Sequence, residues 1–214
     1  MKTEQVISLL AAGLVPQSRR AVLDRFCIAL TVGVLGAFTV LMMTHGVQPD
    51  LGAHLATPLF EGKLAFPLVM GIAAIVMAAR LSIPGASSGR AWLMLAVPYA
   101  AVWAIALAVL ANAPADSREA LLLGHTWKEC PFWIALLSVP CYLALSWAMR
   151  GLAPTRLRPA GAAVGLLSGA VGTLVYALRC PEMSVPFWAA WYSVGMAIPA
   201  LAGYLLARVS FRWW

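Results

Sequence analysis

Two Cys-Pro dipeptides, Cys130-Pro131 and Cys180-Pro181, are the residues of this chain best suited to chemistry. His125, Glu129, Glu182 and Met183 stand beside them, in the same two short segments between apolar runs. A thiolate is a soft ligand, so two of them with imidazole or thioether nearby would hold Cu(I), Zn, Cd or another thiophilic ion in preference to Mg or Ca. The same two residues can instead form a disulfide, which persists in an oxidising compartment. The residues alone leave a structural disulfide, transient metal binding, redox sensing and unrelated thiols all open, because no C-x-x-C or H-x-x-x-H spacing occurs. The other cysteines, Cys27 and Cys141, fall in apolar surroundings and read as small buried hydrophobes. Paired carboxylates, a Ser/His/Asp arrangement and a phosphate-binding glycine loop are all missing. The expectation is a protein that is not an enzyme and holds no cofactor tightly.

The elements that must position these residues are six long apolar stretches, at about residues 26–47, 58–79, 91–111, 132–149, 159–178 and 185–207. Each can cross a hydrocarbon core about 30 Å thick, which takes roughly 20 helical residues. The only Lys, Arg, Asp or Glu inside them are Glu61 and Lys63, in the first turns of span 2, where both are expected to reach the headgroups. A composition 62% hydrophobic and 11% charged, with mean hydropathy +0.85, lies far outside that of soluble domains. The expected fold class is therefore all-α: a polytopic membrane protein of six transmembrane helices. Residues 1–25 form an N-terminal segment, 26–207 the membrane domain and 208–214 a tail. No stretch is long enough for a separate soluble domain. The first apolar run lacks a cleavage site and should stay attached as span 1.

The net charge of +7 invites a nucleic-acid reading, but its distribution argues for topology. With the N-terminus cytoplasmic, the inner segments hold Lys2, Arg19, Arg20, Arg25, Arg80, Arg90, Arg150, Arg156, Arg158, Arg208 and Arg212. The outer loops hold only Lys63, Arg118, Lys128 and Arg179. That asymmetry is the positive-inside pattern. It predicts both termini in the cytoplasm of a bacterial inner membrane protein, no direct nucleic-acid contact, and Cys130 and Cys180 exposed on the outer side. Buried charge near the membrane middle, which proton- or ion-coupled transport usually needs, is lacking.

Residues 3–15 read as a short amphipathic helix with Val6, Leu9, Leu10 and Leu14 on one face, ended by Pro16. That face suits either the inner leaflet or a groove in a cytoplasmic partner. Span 2 opens with Thr57 as N-cap and Pro58 at the first helical position. In loop 3–4, Asp116 with Glu119 resembles a capping box, opening a turn or two that Gly124 closes. Gly161, Gly165 and Gly169 give span 5 a ridge of small residues, expected to serve packing within the bundle, with a homo-oligomer seam as the alternative. Trp92, Trp127, Trp133, Trp188, Trp213 and Trp214 lie near predicted borders and read as interfacial anchors.

With these residues in view, the chain resembles the NrsF-type family of bacterial integral-membrane anti-sigma factors, negative regulators of an extracytoplasmic-function sigma factor. The resemblance is carried by residues 1–5 leading into Leu9-Leu10-Ala11, by Gln48-Pro49-Asp50-Leu51, and by Thr57-Pro58-Leu59-Phe60 with Lys63-Leu64-Ala65. It continues through Gly124-His125-Thr126-Trp127 with Cys130-Pro131, and Leu152-Ala153-Pro154-Thr155-Arg156. Its most specific stretch runs from the glycine-rich span 5 through Val175-Tyr176-Ala177-Leu178-Arg179-Cys180-Pro181-Glu182 to Trp191-Tyr192. The resemblance implies a six-span inner-membrane protein that sequesters its sigma factor at the cytoplasmic side and releases it on heavy-metal or redox stress. Cys130 and Cys180 match the family's two sensor cysteines. Arg179 stands where the family pattern commonly has His, which removes one imidazole ligand and argues against tight metal binding. Val6, Leu9, Leu10 and Leu14 are the expected sigma-binding residues. The alternative functions are a small membrane permease and a thiol- or metal-handling membrane protein.

Overall fold

Apolar runs of this length satisfy every backbone polar group internally only as helices, and helices are what the computed structural model contains. It describes residues 19–44, 46–49, 51–55, 57–82, 89, 91–152, 154 and 156–211. Among these there is no strand. The helices are α1 (Arg19–Thr44), α2 (Leu51–His54), α3 (Pro58–Leu81), α4 (Ala91–Asn112), α5 (Arg118–Leu123), α6 (Cys130–Arg150), α7 (Leu157–Ala177), α8 (Val185–Phe187) and α9 (Ser193–Ser210). A single π turn, Trp188–Tyr192, joins α8 to α9 into one continuous rod. Among the described residues six helices are long and apolar enough to cross a membrane: α1, α3, α4, α6, α7 and the α8–π–α9 rod. They are spans 1 to 6 in chain order.

Span boundaries follow local chemistry. Helix α1 begins at Arg19, so the basic residues Arg19, Arg20 and Arg25 are helical and continuous with span 1. No Gly or Pro falls between Arg19 and Arg25, and Arg is a good helix former. Thr57 has extended backbone (φ −99°, ψ 134°) and Pro58 opens α3. The short helix α5 is closed by Gly124 as expected, but its N-cap is Ser117 and not Asp116. The Ser117 hydroxyl donates back to the Pro114 carbonyl at 2.9 Å, which tightens the turn one residue later than the capping-box pattern implies.

Span 5 is the axis of the bundle. Its most apolar window is 83% buried, whereas that of span 3 is 6% buried. Small residues explain the difference, since Gly and Ala along α7 let neighbouring backbones come close. Gly161, Gly165 and Gly169 all face span 6: a Cβ on Gly165 would overlap the Pro199 carbonyl, and one on Gly169 would lie 2.8 Å from the Pro199 ring. Spans 2 and 4 pack on the other sides of α7, span 1 packs on span 4, and span 3 lies at the periphery against span 2.

Two expectations about single residues fail for reasons of helix face. Cys27 is exposed on α1, not buried, because the buried stripe of that helix runs through Ala29, Ala37 and Leu41. Cys141 is buried, packed where Gly33 lets span 1 approach span 4. Trp188 is a core residue, not an interfacial anchor, since the π turn directs it into the bundle. Trp213 and Trp214 lie outside the described residues.

Candidate functional site

Both singled-out thiols sit where a helix meets a connection. Cys130 opens α6, with Pro131 in its first turn and its own N–H donated to the Thr126 carbonyl at 3.0 Å. Cys180 ends the turn that terminates α7, its N–H donated to the Tyr176 carbonyl at 3.0 Å. The two helices run side by side, so the two cysteines come to one end of the bundle, here termed the thiol end. Both are free thiols in one apolar cluster with Phe66, Tyr176, Trp188 and Tyr192, and they lie within electrostatic reach of each other. Neither is exposed: Cys130 is 0% and Cys180 1% accessible. The expectation that they face the surrounding medium is thus corrected. Residues 113–129 and 178–184 fold over them.

A lysine completes the cluster. Lys63 is wholly buried, its ammonium donating to the Cys180 carbonyl and lying 5.7 Å from the centre of the Phe60 ring. The thiols of Cys180 and Cys130 and the carboxylate of Glu182 are within its electrostatic range. It does not reach the headgroups because it follows Phe60 by three residues and so shares the inward stripe of α3 with Phe60, Pro67 and Met70. Glu61, two residues earlier, points outward and is exposed. A buried ammonium is costly unless paired and bonded, so its position beside a carbonyl and two thiols marks this site as the chemically unusual part of the bundle. Tyr176 and Tyr192 flank it, ring centres 6.4 Å apart. The Tyr192 hydroxyl meets no partner at hydrogen-bonding geometry among the described residues, although Cys180 is its neighbour.

A lid covers the cluster. The backbone N–H of His125 donates to Glu182 Oε1 at 2.7 Å. Ser184 donates its hydroxyl proton to the Leu121 carbonyl at 2.8 Å, and Trp191 Nε1 donates to the Leu122 carbonyl at 2.8 Å. The Trp127 ring meets the Trp191 ring at a tilt of 40°, with centres 5.2 Å apart. Helix α5 and the turn after it are thereby fastened to the loop between spans 5 and 6. Gly124 is what permits this: its backbone (φ 54°, ψ −158°) lies in territory nearly closed to other residues, and a Cβ there would sit 2.7 Å from the Glu182 carboxylate. Gln48 joins from the connection between spans 1 and 2, its N–H donated to the Leu178 carbonyl at 3.2 Å.

Beneath the lid lies a cavity of about 190 Å³, lined by Gln48, Thr126, Glu129, Trp133, Tyr176, Arg179, Cys180 and Pro181. Of the expected site residues, Cys130, Cys180, Glu129 and Glu182 are therefore gathered at one place. His125 takes part through its backbone and leaves its side chain exposed, and Met183 belongs to neither the cavity wall nor the buried cluster. Among the described residues no three His, Cys, Asp or Glu side chains form a group able to hold a metal ion, so the thiol pair itself is the soft-ligand chemistry available. Val6, Leu9, Leu10 and Leu14 lie outside the described residues. Lys63, Gln48, Tyr176 and Tyr192 went unassigned as site residues, yet each falls in a stretch that carries the family resemblance.

Comparison with known proteins decides the family. The family model described as "Negative regulator of sigma F" matches residues 10–213. The chain belongs to this family. It is 41% identical over 213 residues, all of both chains, to the "Probable anti-sigma-F factor NrsF" of Azospira oryzae. It is 35% identical over 215 residues, again all of both chains, to the "Anti-sigma-F factor NrsF" of Caulobacter vibrioides. No solved structure matches. NrsF-family membership thus extends across the lid, the thiol pair and the buried lysine alike.

Proposed function

We propose that this chain is a membrane-bound anti-sigma factor that holds an extracytoplasmic-function sigma factor at the cytoplasmic face of the inner membrane. It releases that factor when a soft metal ion or an oxidant reaches Cys130 and Cys180 from the outer side. The observation that supports the reading most directly is the meeting of the two thiols, the buried Lys63 ammonium and the lid at one end of a chain whose relatives carry anti-sigma names. The partner side is assigned to residues 1–25, with Val6, Leu9, Leu10 and Leu14 inserting into the sigma factor, and the basic stretch from Arg150 to Arg158 in support.

The two functions need a physical link, and span 5 is the natural one. Its 21 residues extend about 31 Å at 1.5 Å each, from the cytoplasmic connection to the turn that bears Cys180. At the end far from the thiols, Arg150 Nε donates to the Ser210 carbonyl, Tyr142 and Ser210 hydroxyls lie 3.3 Å apart, and the Arg158 guanidinium lies 5.5 Å from the Tyr204 ring centre. Spans 4, 5 and 6 are tied there, so a shift of span 5 against span 6 along the glycine ridge would be felt by the partner-binding side. Driving such a two-state element from 1:99 to 99:1 takes about 5.5 kcal/mol of differential binding or bond energy.

The test is purification of the full chain with co-expressed sigma factor, with and without metal or oxidant. Stoichiometric capture that is lost on treatment supports the reading, and a Cys130→Ser, Cys180→Ser double variant should retain its partner under both conditions. Deleting residues 1–15 should free the sigma factor without any stress. A silent regulon in that deletion strain would move the partner site elsewhere.

A further inference from the structure

We propose that the two thiols act in a fixed order, with Cys180 meeting a small polar oxidant of the hydroperoxide class and Cys130 resolving the product. The inference rests on the thiol-sensor reading above and adds a direction to it. The two cysteines differ in one respect that the fold makes plain: Cys180 forms part of the wall of the 190 Å³ cavity, and Cys130 does not. Cys130 is wholly enclosed, with Tyr176, itself part of the cavity wall, as its neighbour. Anything small enough to enter the cavity therefore reaches Cys180 first.

The cavity is chemically suited to a small hydrogen-bonding solute. Gln48 Oε1 is buried in its lining without a partner among the described residues. Buried oxygens of this kind need donors, which water or a hydroxyl-bearing solute supplies. Glu129 and Arg179, of opposite sign, line the same space, so its walls favour neither an anion nor a cation outright. The volume admits several water molecules but no bulky reagent, which accounts for a thiol that is nearly inaccessible in area yet adjoins space.

The chemistry balances without a further reactant. The Cys180 sulfur, having given up its proton, attacks one peroxide oxygen. The O–O bond breaks, the departing oxygen leaves as hydroxide and takes up that proton as water, and Cys180 becomes a sulfenic acid. The Cys130 sulfur then attacks the Cys180 sulfur. An S–S bond forms, the S–O bond breaks, and the hydroxyl leaves as water with the proton from Cys130. Two thiols are oxidised to one disulfide while one peroxide is reduced to two waters.

The experiment treats the full chain in detergent with one equivalent of hydrogen peroxide and maps each cysteine by mass spectrometry, with dimedone added as the protein is unfolded to capture sulfenic acid. Wild type should give a Cys130–Cys180 disulfide, and Cys130→Ser should trap a dimedone adduct on Cys180. In Cys180→Ser, oxidation of Cys130 should slow at least about tenfold, as befits a thiol reached only when the fold opens. Thr126→Phe, which fills the cavity, should slow Cys180 by a similar factor while exposed Cys27 keeps its rate, a control for the reagent, and buried Cys130 stays slow, a control for the fold. The order is overturned if Cys130 alone reacts as fast as Cys180 alone, if wild type accumulates sulfenic acid without a disulfide, or if Thr126→Phe leaves the Cys180 rate unchanged. Sigma-factor release, followed in the same samples, separates the two readings. Ordered oxidation without release refutes the sensor function only, whereas release that needs both thiols but begins at Cys130 refutes the order only.

Discussion

Gly124→Ala is the substitution by which the lid can be tested most sharply. At φ 54° and ψ −158° an alanine is strained by about 1–3 kcal/mol. Its Cβ would also press on the Glu182 carboxylate, 2.7 Å away. That carboxylate is the free end of a flexible side chain and can swing aside, but its bond to the His125 N–H goes with it. The bond is near the surface, so its loss is worth about 1 kcal/mol. The closed lid should therefore be weakened by about 3 kcal/mol, or roughly a hundredfold in the population that exposes the thiols. The assay is the rate of maleimide addition to Cys130 and Cys180 in spheroplasts, resolved by peptide. Gly52→Ala, where a Cβ meets nothing within 4 Å, is the matched control. If Gly124→Ala labels within about twofold of wild type, the lid is not what shields the thiols and the geometric argument fails.

Other substitutions probe the remaining contacts. Trp191→Phe and Ser184→Ala each remove one lid hydrogen bond worth about 1 kcal/mol, so each should speed maleimide labelling roughly fivefold, and the double variant more. Gly165→Ala forces span 5 away from the Pro199 carbonyl; overpacking costs about 1–3 kcal/mol, against which helix propensity returns up to about 1. Its unfolding midpoint in a mixed-micelle titration should fall, while Gly62→Ala, whose Cβ would meet only Trp188 at 3.9 Å, should not. Equal midpoints for the two would remove the glycine ridge from the account. Lys63→Met leaves the buried Cys180 carbonyl without its donor and should destabilise by about 1–3 kcal/mol in the same titration, whereas Glu61→Gln should shift it by less than about 0.5.

Hydropathy made six spans legible, since runs of about twenty apolar residues have few other folds open to them. The pairing of Cys130 with Cys180 was legible too, as two Cys-Pro dipeptides at ends of adjacent helices. What hydropathy does not carry is the side of a helix that faces protein. Within a membrane span both faces are apolar, so amphipathic patterning is weak and the inward stripe is hidden. That is why Cys27 and Lys63 were each assigned to the wrong surroundings, and why Trp188 read as an anchor. The lid was half visible, in Gly124 and the short helix before it, but its fastenings from Ser184 and Trp191 join residues more than sixty positions apart. The π turn left no trace in Trp-Ala-Ala-Trp-Tyr, a run with nothing in its composition to separate it from ordinary helix.

That turn has a bearing on how span 6 can respond. A π turn is an α-helix carrying one surplus residue, and a surplus residue can migrate along a helix while both ends stay put. Moving it one turn toward Met196 would rotate the intervening side chains by about 100° and slide them about 1.5 Å. The aromatic groups pressed against Cys180 and Lys63 would then be exchanged for others, with no tilt or translation of the rod as a whole. Such a slip in span 6 would re-face the thiols locally, without disturbing the ties among spans 4, 5 and 6 at the far end of the bundle.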